Sequence, residues 1–139
     1  MSSCCGKNAT CLVYACSGGS NVGQLTTEAA KALDSAGEAS MGCMAGLGGH
    51  VSGMVASAQS GVPVLILDGC SVACGKKIVE HLDLKDYGYV DITALGIRKE
   101  HNVNKTPNTQ IEEVVAAARK EIARLAGSAC STTGTSCCS

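Results

Sequence analysis

The chain has 139 residues, including ten cysteines and three tyrosines but no Phe or Trp, and its formal net charge at pH 7 is −1. A chain of this length forms one domain with an ordinary core, because a globule of about 150 residues buries roughly two-thirds of its unfolded surface. The balanced charge and the lack of a basic stripe or an aromatic stacking surface exclude a typical nucleic-acid binder, so we expect no nucleic-acid partner.

The chain begins with strand and helix signals in alternation. Residues 12–16 (LVYAC) form a short apolar run that predicts a buried strand. A glycine-rich turn follows, in which Ser20 or Asn21 is a candidate N-cap. Apolar residues at helical spacing then predict a helix that ends at Gly37.

The middle of the chain continues this alternation. Residues 38–44 predict a short strand or an extended loop. One apolar face over residues 47–58 predicts a second helix, and residues 63–68 (PVLILD) predict the clearest buried strand. A helix is expected over residues 71–82.

The last third adds one strand and one long helix. Residues 88–93 (GYVDIT) alternate in the manner of a strand. A polar and basic connection leads to a predicted helix, and Thr109 and Glu112 have the spacing of a capping box at its N-terminus. Gly127 is expected to end this helix.

This order of elements predicts an α/β fold. We expect a single three-layer domain of the Rossmann or flavodoxin type, with a parallel sheet of about four strands and helices on both faces. Residues 11–127 are assigned to this domain, residues 1–10 to a flexible N-terminus that contains cysteine, and residues 128–139 to a disordered Ser/Thr/Cys tail.

The apolar runs and the cysteines together predict the compartment. The longest apolar run near the N-terminus, residues 11–16 (CLVYAC), is too short for the core of a signal peptide or for a membrane span. We therefore expect a cytoplasmic protein with no membrane partner. Thiols stay reduced in the cytoplasm, where clustered cysteines more often bind metal or carry out redox chemistry.

Cysteines fall where the predicted strands end. Cys16 ends the first strand, Cys43 lies in or after the second, and Cys70 follows the third. Cys74 lies one helical turn beyond Cys70 and on the same face. Because the carboxyl ends of parallel strands form one ligand-binding edge, four thiols are expected there, whereas Cys11 enters the first strand at the opposite edge. In a tetrahedral zinc site with Zn–S bonds of about 2.3 Å, the sulfurs would lie about 3.8 Å apart. Each cysteine taken alone could instead be an ordinary apolar residue of the core.

Four segments carry a shared pattern of cysteine and glycine: residues 16–25 (CSGGSNVGQL), 42–49 (GCMAGLGG), 68–77 (DGCSVACGKK) and 95–100 (LGIRKE). Together they resemble the DGC family, small proteins named for a central Asp-Gly-Cys. The resemblance covers residues 11–105. It implies a protein that binds a metal ion, with zinc as the expected cofactor. The implied metal ligands are Cys16, Cys43, Cys70 and Cys74.

Two other hypotheses use the same thiols. In the first, the chain is a thiol-redox or sulfur-transfer enzyme, in which Cys16 or Cys70 attacks and a neighbouring cysteine resolves the intermediate. In the second, it binds a soft metal such as arsenic, mercury or copper. Cys4, Cys5, Cys137 and Cys138 would then collect the ion. No general base, carboxylate pair or nucleotide-binding motif indicates another enzyme class, so we favour a binding protein over an enzyme.

The remaining polar side chains predict ordinary structural roles. Asp68 is expected to cap the helix that follows it, and the basic loop over residues 98–105 is expected to be solvated. The glycines of residues 16–23 predict a tight turn and a close approach of helix and sheet, because no arginine follows to close a phosphate loop. The three methionines near Cys43 suit core packing better than a Cu(I) site. The histidines show no paired ligand spacing; they are His50, His81 and His101.

Overall fold

The computed structural model describes residues 11–130 of the chain. The predictions made for residues 1–10 and for residues 131–139 lie outside the described residues. No helix in the described part of the chain is both long enough and apolar enough to cross a membrane.

Strands and helices alternate along the described residues. The strands are β1 (Leu12–Ala15), β2 (Ser40–Met41), β3 (Val64–Asp68) and β4 (Tyr87–Asp91). The helices are α1 (Asn21–Ser35), α2 (Met44–Gly48), α3 (Ser52–Ala58), α4 (Cys74–His81) and α5 (Asn108–Cys130), with a 3₁₀ helix at Ile92–Leu95.

The four strands form one parallel sheet in the order β2-β1-β3-β4. Strands β1 and β3 are paired along their whole common length, with Ala15 opposite Leu67 at their carboxyl ends. All five residues of β3 are buried, as expected for an inner strand of a sheet that is covered on both faces. The predicted α/β fold is confirmed.

Alternate residues of the strands feed two separate hydrophobic cores. Val13 and Leu65 point to one face, where they pack with buried residues of α1 and α5. Tyr14 and Ile66 point to the other face and pack with buried residues of α2, α3 and α4. Helices therefore cover both faces, and the domain has three layers.

The predicted second helix is two helices in the structure. Helix α2 ends at Gly48, and α3 begins only at Ser52. Between them His50 has a φ of 56°, a left-handed conformation that interrupts helical hydrogen bonding. The prediction of one continuous helix over residues 47–58 was wrong because helical spacing alone does not reveal such a break.

The predicted helix over residues 71–82 is shorter than expected. Helix α4 begins at Cys74, because Ala73 before it is left-handed with a φ of 57°. The Asp68 carboxylate accepts hydrogen bonds from the backbone N–H of Gly75 (2.8 Å) and Lys76 (2.9 Å), so it caps the helix as predicted. Cys70 therefore lies in the loop before α4 and does not share a helical face with Cys74.

The predicted ends of the last helix also differ from the structure. Helix α5 begins at Asn108, because the Pro107 carbonyl already accepts hydrogen bonds from the N–H groups of Gln110 and Ile111. Thr109 thus lies inside the first turn and is not the N-cap. The helix also continues through Gly127, which makes no turn into the left-handed region. Gly37, by contrast, has a φ of 74° and follows α1 as predicted.

Candidate functional site

The sheet order brings the cysteine-bearing loops to one edge. Strand β1 lies between β2 and β3, and a cysteine follows each of these strands. Cys16 comes directly after β1, Cys43 lies two residues after β2, and Cys70 lies two residues after β3. Cys74 is the first residue of α4 and leaves the same edge. Three adjacent strand ends therefore deliver the four predicted ligands.

Direct contacts join these loops in two pairs. The sulfur of Cys16 accepts a hydrogen bond from the backbone N–H of Gly69 (3.4 Å), which immediately precedes Cys70. On the other side of the edge, Gly75 packs against Met44, so a Cβ built at Gly75 would lie 2.8 Å from the Met44 methyl carbon. The residues after Cys43 and Cys74 therefore touch each other. Among residues 11–130, no group of three or more His, Cys, Asp or Glu side chains is already arranged to hold a metal ion.

Cys16 lies in a polar pocket formed by the start of α1. Its sulfur is 3.8 Å from the hydroxyl oxygen of Thr26. That hydroxyl donates to the Gly23 carbonyl (2.6 Å) and accepts from the backbone N–H of Ser17 (3.2 Å). Since the Thr26 proton is already used, the Cys16 thiol is the donor in the contact between them. Cys16 is partly buried and held in place from two sides.

The glycines around Cys16 and Cys70 allow the backbones to approach closely. A Cβ at Gly69 would lie 2.7 Å from the backbone nitrogen of Gly23. A Cβ at Gly23 would in turn lie 2.4 Å from the Gly18 carbonyl oxygen. These spacings leave no room for a side chain, so the β3–α4 loop packs directly onto the first turn of α1. The predicted role of the glycines in a close approach is confirmed for Gly23, whereas a Cβ at Gly19 would meet no atom within 4 Å.

Lys99 reaches the candidate site from the segment after the 3₁₀ helix. Its ammonium group donates a hydrogen bond to the sulfur of Cys70 at 3.4 Å. Lys99 is exposed, as expected for a solvated basic loop, and its charge also lies against a predicted ligand. The other lysine of that loop, Lys105, forms an ion pair with Glu100.

Asn21 holds the Lys99 segment in place. Its side-chain nitrogen donates to the Arg98 carbonyl (2.9 Å), and its side-chain oxygen accepts from the Glu100 N–H (2.6 Å). The backbone N–H of Asn21 also donates to the Glu100 carbonyl (3.1 Å). Asn21 is buried and is the first residue of α1, with Ser20 as the N-cap. The sequence alone did not indicate this role, although both partners lie within segments of the DGC-like pattern.

Cys43 and Cys74 are the exposed members of the set. Gly42 packs against the ring of Tyr14, because a Cβ added at Gly42 would lie 2.3 Å from a carbon of that ring. This packing positions the loop that carries Cys43. Burial raises the pKa of Tyr14, and the nearby Cys43 raises it further. Exposure leaves the thiols of Cys43 and Cys74 free to rotate, unlike that of Cys16.

Cys11 lies at the other end of β1 and has a different environment. It is fully buried, and its thiol donates to the Leu12 carbonyl at 3.6 Å. Burial raises the pKa of this thiol to about 11, although a backbone hydrogen bond from Leu65 opposes the effect. A neutral, enclosed thiol is an apolar core group and not a metal ligand.

The three methionines near Cys43 differ in their burial. Met44 is buried in the core on the α4 side of the sheet. The sulfur of Met54 packs against Gly46, since a Cβ added at Gly46 would lie 1.9 Å from that sulfur. Met44 agrees with the expected packing role, and Met54 agrees in part, because it is 40% exposed. Met41 is 38% exposed on β2, so the expectation was wrong for that residue.

Comparisons with known proteins identify the family. The model of the DGC domain matches residues 12–118 of the chain. The chain is 42% identical over 90 residues to the anaerobic and virulence modulator AnvM of Pseudomonas aeruginosa (strain PAO1), an alignment that covers 65% of this chain and 69% of AnvM. No solved structure matches the chain. The region that matches the domain model, residues 12–118, contains all four candidate cysteines and most of the chain, and the chain therefore belongs to the DGC family.

Proposed function

We propose that the protein binds a metal ion through Cys16, Cys43, Cys70 and Cys74, with Zn²⁺ as the preferred ion and other thiophilic ions as alternatives. The observation that carries the proposal is the strand order β2-β1-β3, which places the loops bearing these residues side by side. Four thiolates form the donor set of many structural zinc sites. The proposal includes a cytoplasmic location, where the thiols stay reduced.

The side chains fit such a site chemically. Cys16 is held near the β3–α4 loop by the Gly69 N–H, whereas Cys43 and Cys74 are exposed and can rotate toward it. A tetrahedral zinc needs sulfurs about 3.8 Å apart at Zn–S distances of about 2.3 Å. Rotation of exposed side chains is the change that would gather the set. The metal, when bound, would supply a tetrahedral centre that links the three loops.

Groups beside the sulfurs would offset their negative charge. Four thiolates and one divalent ion carry a net charge of −2. The Lys99 ammonium beside Cys70 supplies a compensating positive charge, and the Gly69 N–H supplies a hydrogen bond to Cys16. Such groups around metal ligands orient them and strengthen binding. Asn21 contributes indirectly, because it fixes the backbone on both sides of Lys99.

Metal content of purified variants tests the proposal. The wild-type protein, purified under reducing conditions, is expected to retain about one zinc per chain in elemental analysis, as a single four-thiolate site requires. Cys70→Ser should lose most of this metal. Cys11→Ser is the matched control, since it also removes a thiol but at the buried opposite edge. Equal metal retention in the two variants would contradict the proposal.

A second candidate function rests on the contact between Lys99 and Cys70. The Lys99 ammonium lies against the Cys70 sulfur, and this contact makes Cys70 the candidate attacking residue for thiol-redox or sulfur-transfer chemistry. In that case the protein should contain no stoichiometric metal and one cysteine pair that oxidises reversibly. Thiol counting before and after mild oxidation, on the same preparations, separates the two functions.

A further inference from the structure

Two histidines meet on the surface at a distance from the cysteines. The ring centroids of His50 and His81 are 5.1 Å apart, and the ring planes are nearly perpendicular at 84°. Both residues are exposed. The spacing of the histidines along the chain predicted no such pair, because the contact depends on the packing of two helices.

The pair results from the packing of α2 against α4. Gly48, the last residue of α2, lies so close to α4 that a Cβ there would be 3.4 Å from the Ile78 side chain. His50 follows α2 by two residues, and His81 is the last residue of α4. Both helices begin at the cysteine edge, so their ends lie away from it. Since α4 has eight residues, its ends are separated by about 12 Å at 1.5 Å per residue.

We propose that His50 and His81 form a second metal site, which takes a divalent transition-metal ion such as Zn²⁺, Ni²⁺ or Cu²⁺. Imidazole nitrogen is a favoured ligand of all three ions. With a Zn–N bond of about 2.0 Å, the centroid of each coordinating ring lies about 3.2 Å from the metal. Two centroids that are 5.1 Å apart then make an angle of roughly 105° at the metal. This angle is close to tetrahedral. Both rings are exposed, so rotation of the side chains can direct one nitrogen of each at the ion.

The surroundings leave room for the rest of the coordination sphere. A cavity of about 190 Å³ opens beside the two rings. It is lined by Leu47, Gly48, His50, Lys77, Ile78 and His81. Water occupies about 30 Å³ per molecule, so the space accepts a metal ion together with its waters. Two protein ligands and several waters make a site that exchanges its metal more readily than four thiolates do.

Lys77 is the charged group that opposes this site. Its side chain lines the same cavity, and its ammonium repels a divalent cation. Lys77→Gln should therefore tighten metal binding by the histidines. Cys43 and Cys74 lie at the other end of these two helices and are not needed for it.

Nitrogen-15 NMR of the histidine rings in the full-length reduced protein tests the proposal, with Zn²⁺ as the probe. The cysteines take up the first equivalent if the proposed four-cysteine site exists. The signals of His50 and His81 should then shift together over one concentration range, while that of His101 stays unchanged as an internal control. His50→Gln should weaken the zinc response of His81 about tenfold or more, a loss of about 1.4 kcal/mol. Lys77→Gln should shift the response to lower zinc concentration.

Three results would overturn the proposal. The first is that zinc leaves the signals of both residues unchanged. The second is that the two signals respond over different concentration ranges. The third is that His81 responds identically with and without His50. Because the substituted side chains are exposed, the variants should fold, and none of these results depends on whether the cysteines bind metal.

Discussion

The hydroxyl of Tyr89 in β4 donates a hydrogen bond to the carboxylate of Asp68 at the end of β3, at a distance of 3.0 Å. The same carboxylate accepts the N–H groups of Gly75 and Lys76 at the start of α4. Asp68 is almost fully buried, so its carboxylate oxygens need these three donors as hydrogen-bond partners in place of water. This network joins two strands and one helix on both sides of the loop that carries Cys70.

Substitutions at Asp68 and Tyr89 should be strongly coupled. Asp68→Ala leaves two helix N–H groups and the Tyr89 hydroxyl without their acceptor, and we expect a loss of about 3 kcal/mol in the free energy of unfolding. Tyr89→Phe removes one donor and should cost about 1 kcal/mol. In the Asp68→Ala background the second substitution should cost almost nothing. Urea unfolding of the four proteins measures the coupling, and additive losses would show that the network does not act as a unit.

Gly69 should tolerate no side chain. An added Cβ would lie 2.7 Å from the Gly23 nitrogen and 2.8 Å from the Val22 carbonyl carbon, and backbone cannot move aside cheaply. We expect Gly69→Ala to lower the free energy of unfolding by about 3 kcal/mol and to reduce metal retention. Gly53→Ala in α3 is the control, because no atom lies within 4 Å of its Cβ position. Chemical unfolding should show that change to be neutral or slightly stabilising, and similar losses for both variants would disprove the packing argument.

Cys11 should make the protein less stable in alkali. Burial raises its pKa in the folded state from 9.0 to about 11. Below pH 9 the thiol is neutral in both states, so its contribution to stability is complete. Between these two values only the unfolded state ionises, and stability falls as the pH rises. Cys11→Ala should remove on the order of 2 kcal/mol of this fall, measured by urea unfolding at pH 8 and at pH 11 in reducing buffer. A fall of the same size in both proteins would refute the prediction.

Local sequence patterns predicted the parallel sheet and the cysteine edge, because strand length and helical periodicity are short-range properties. The pattern could not show that His50 adopts a left-handed conformation and divides the second predicted helix. It also did not place Lys99 beside Cys70 or His50 beside His81, since those contacts depend on tertiary packing. The missed features are thus left-handed backbone conformations of non-glycine residues and long-range contacts between segments whose local patterns are ordinary.

Removal of the metal should loosen the cysteine loops without unfolding the sheet. The two cores are formed by buried apolar residues on both faces of the sheet. Cys70 packs against the first core, whereas the exposed Cys43 and Cys74 belong to neither. Binding energy at the proposed site therefore adds to a fold that already has its own core. Chelation should increase the rate at which four thiols react with Ellman's reagent, while the far-ultraviolet helix signal largely persists. Cys70→Ser should resemble the chelated protein before any chelator is added, and Cys11→Ser should not. Loss of helix signal on chelation would show that the metal holds the whole domain together.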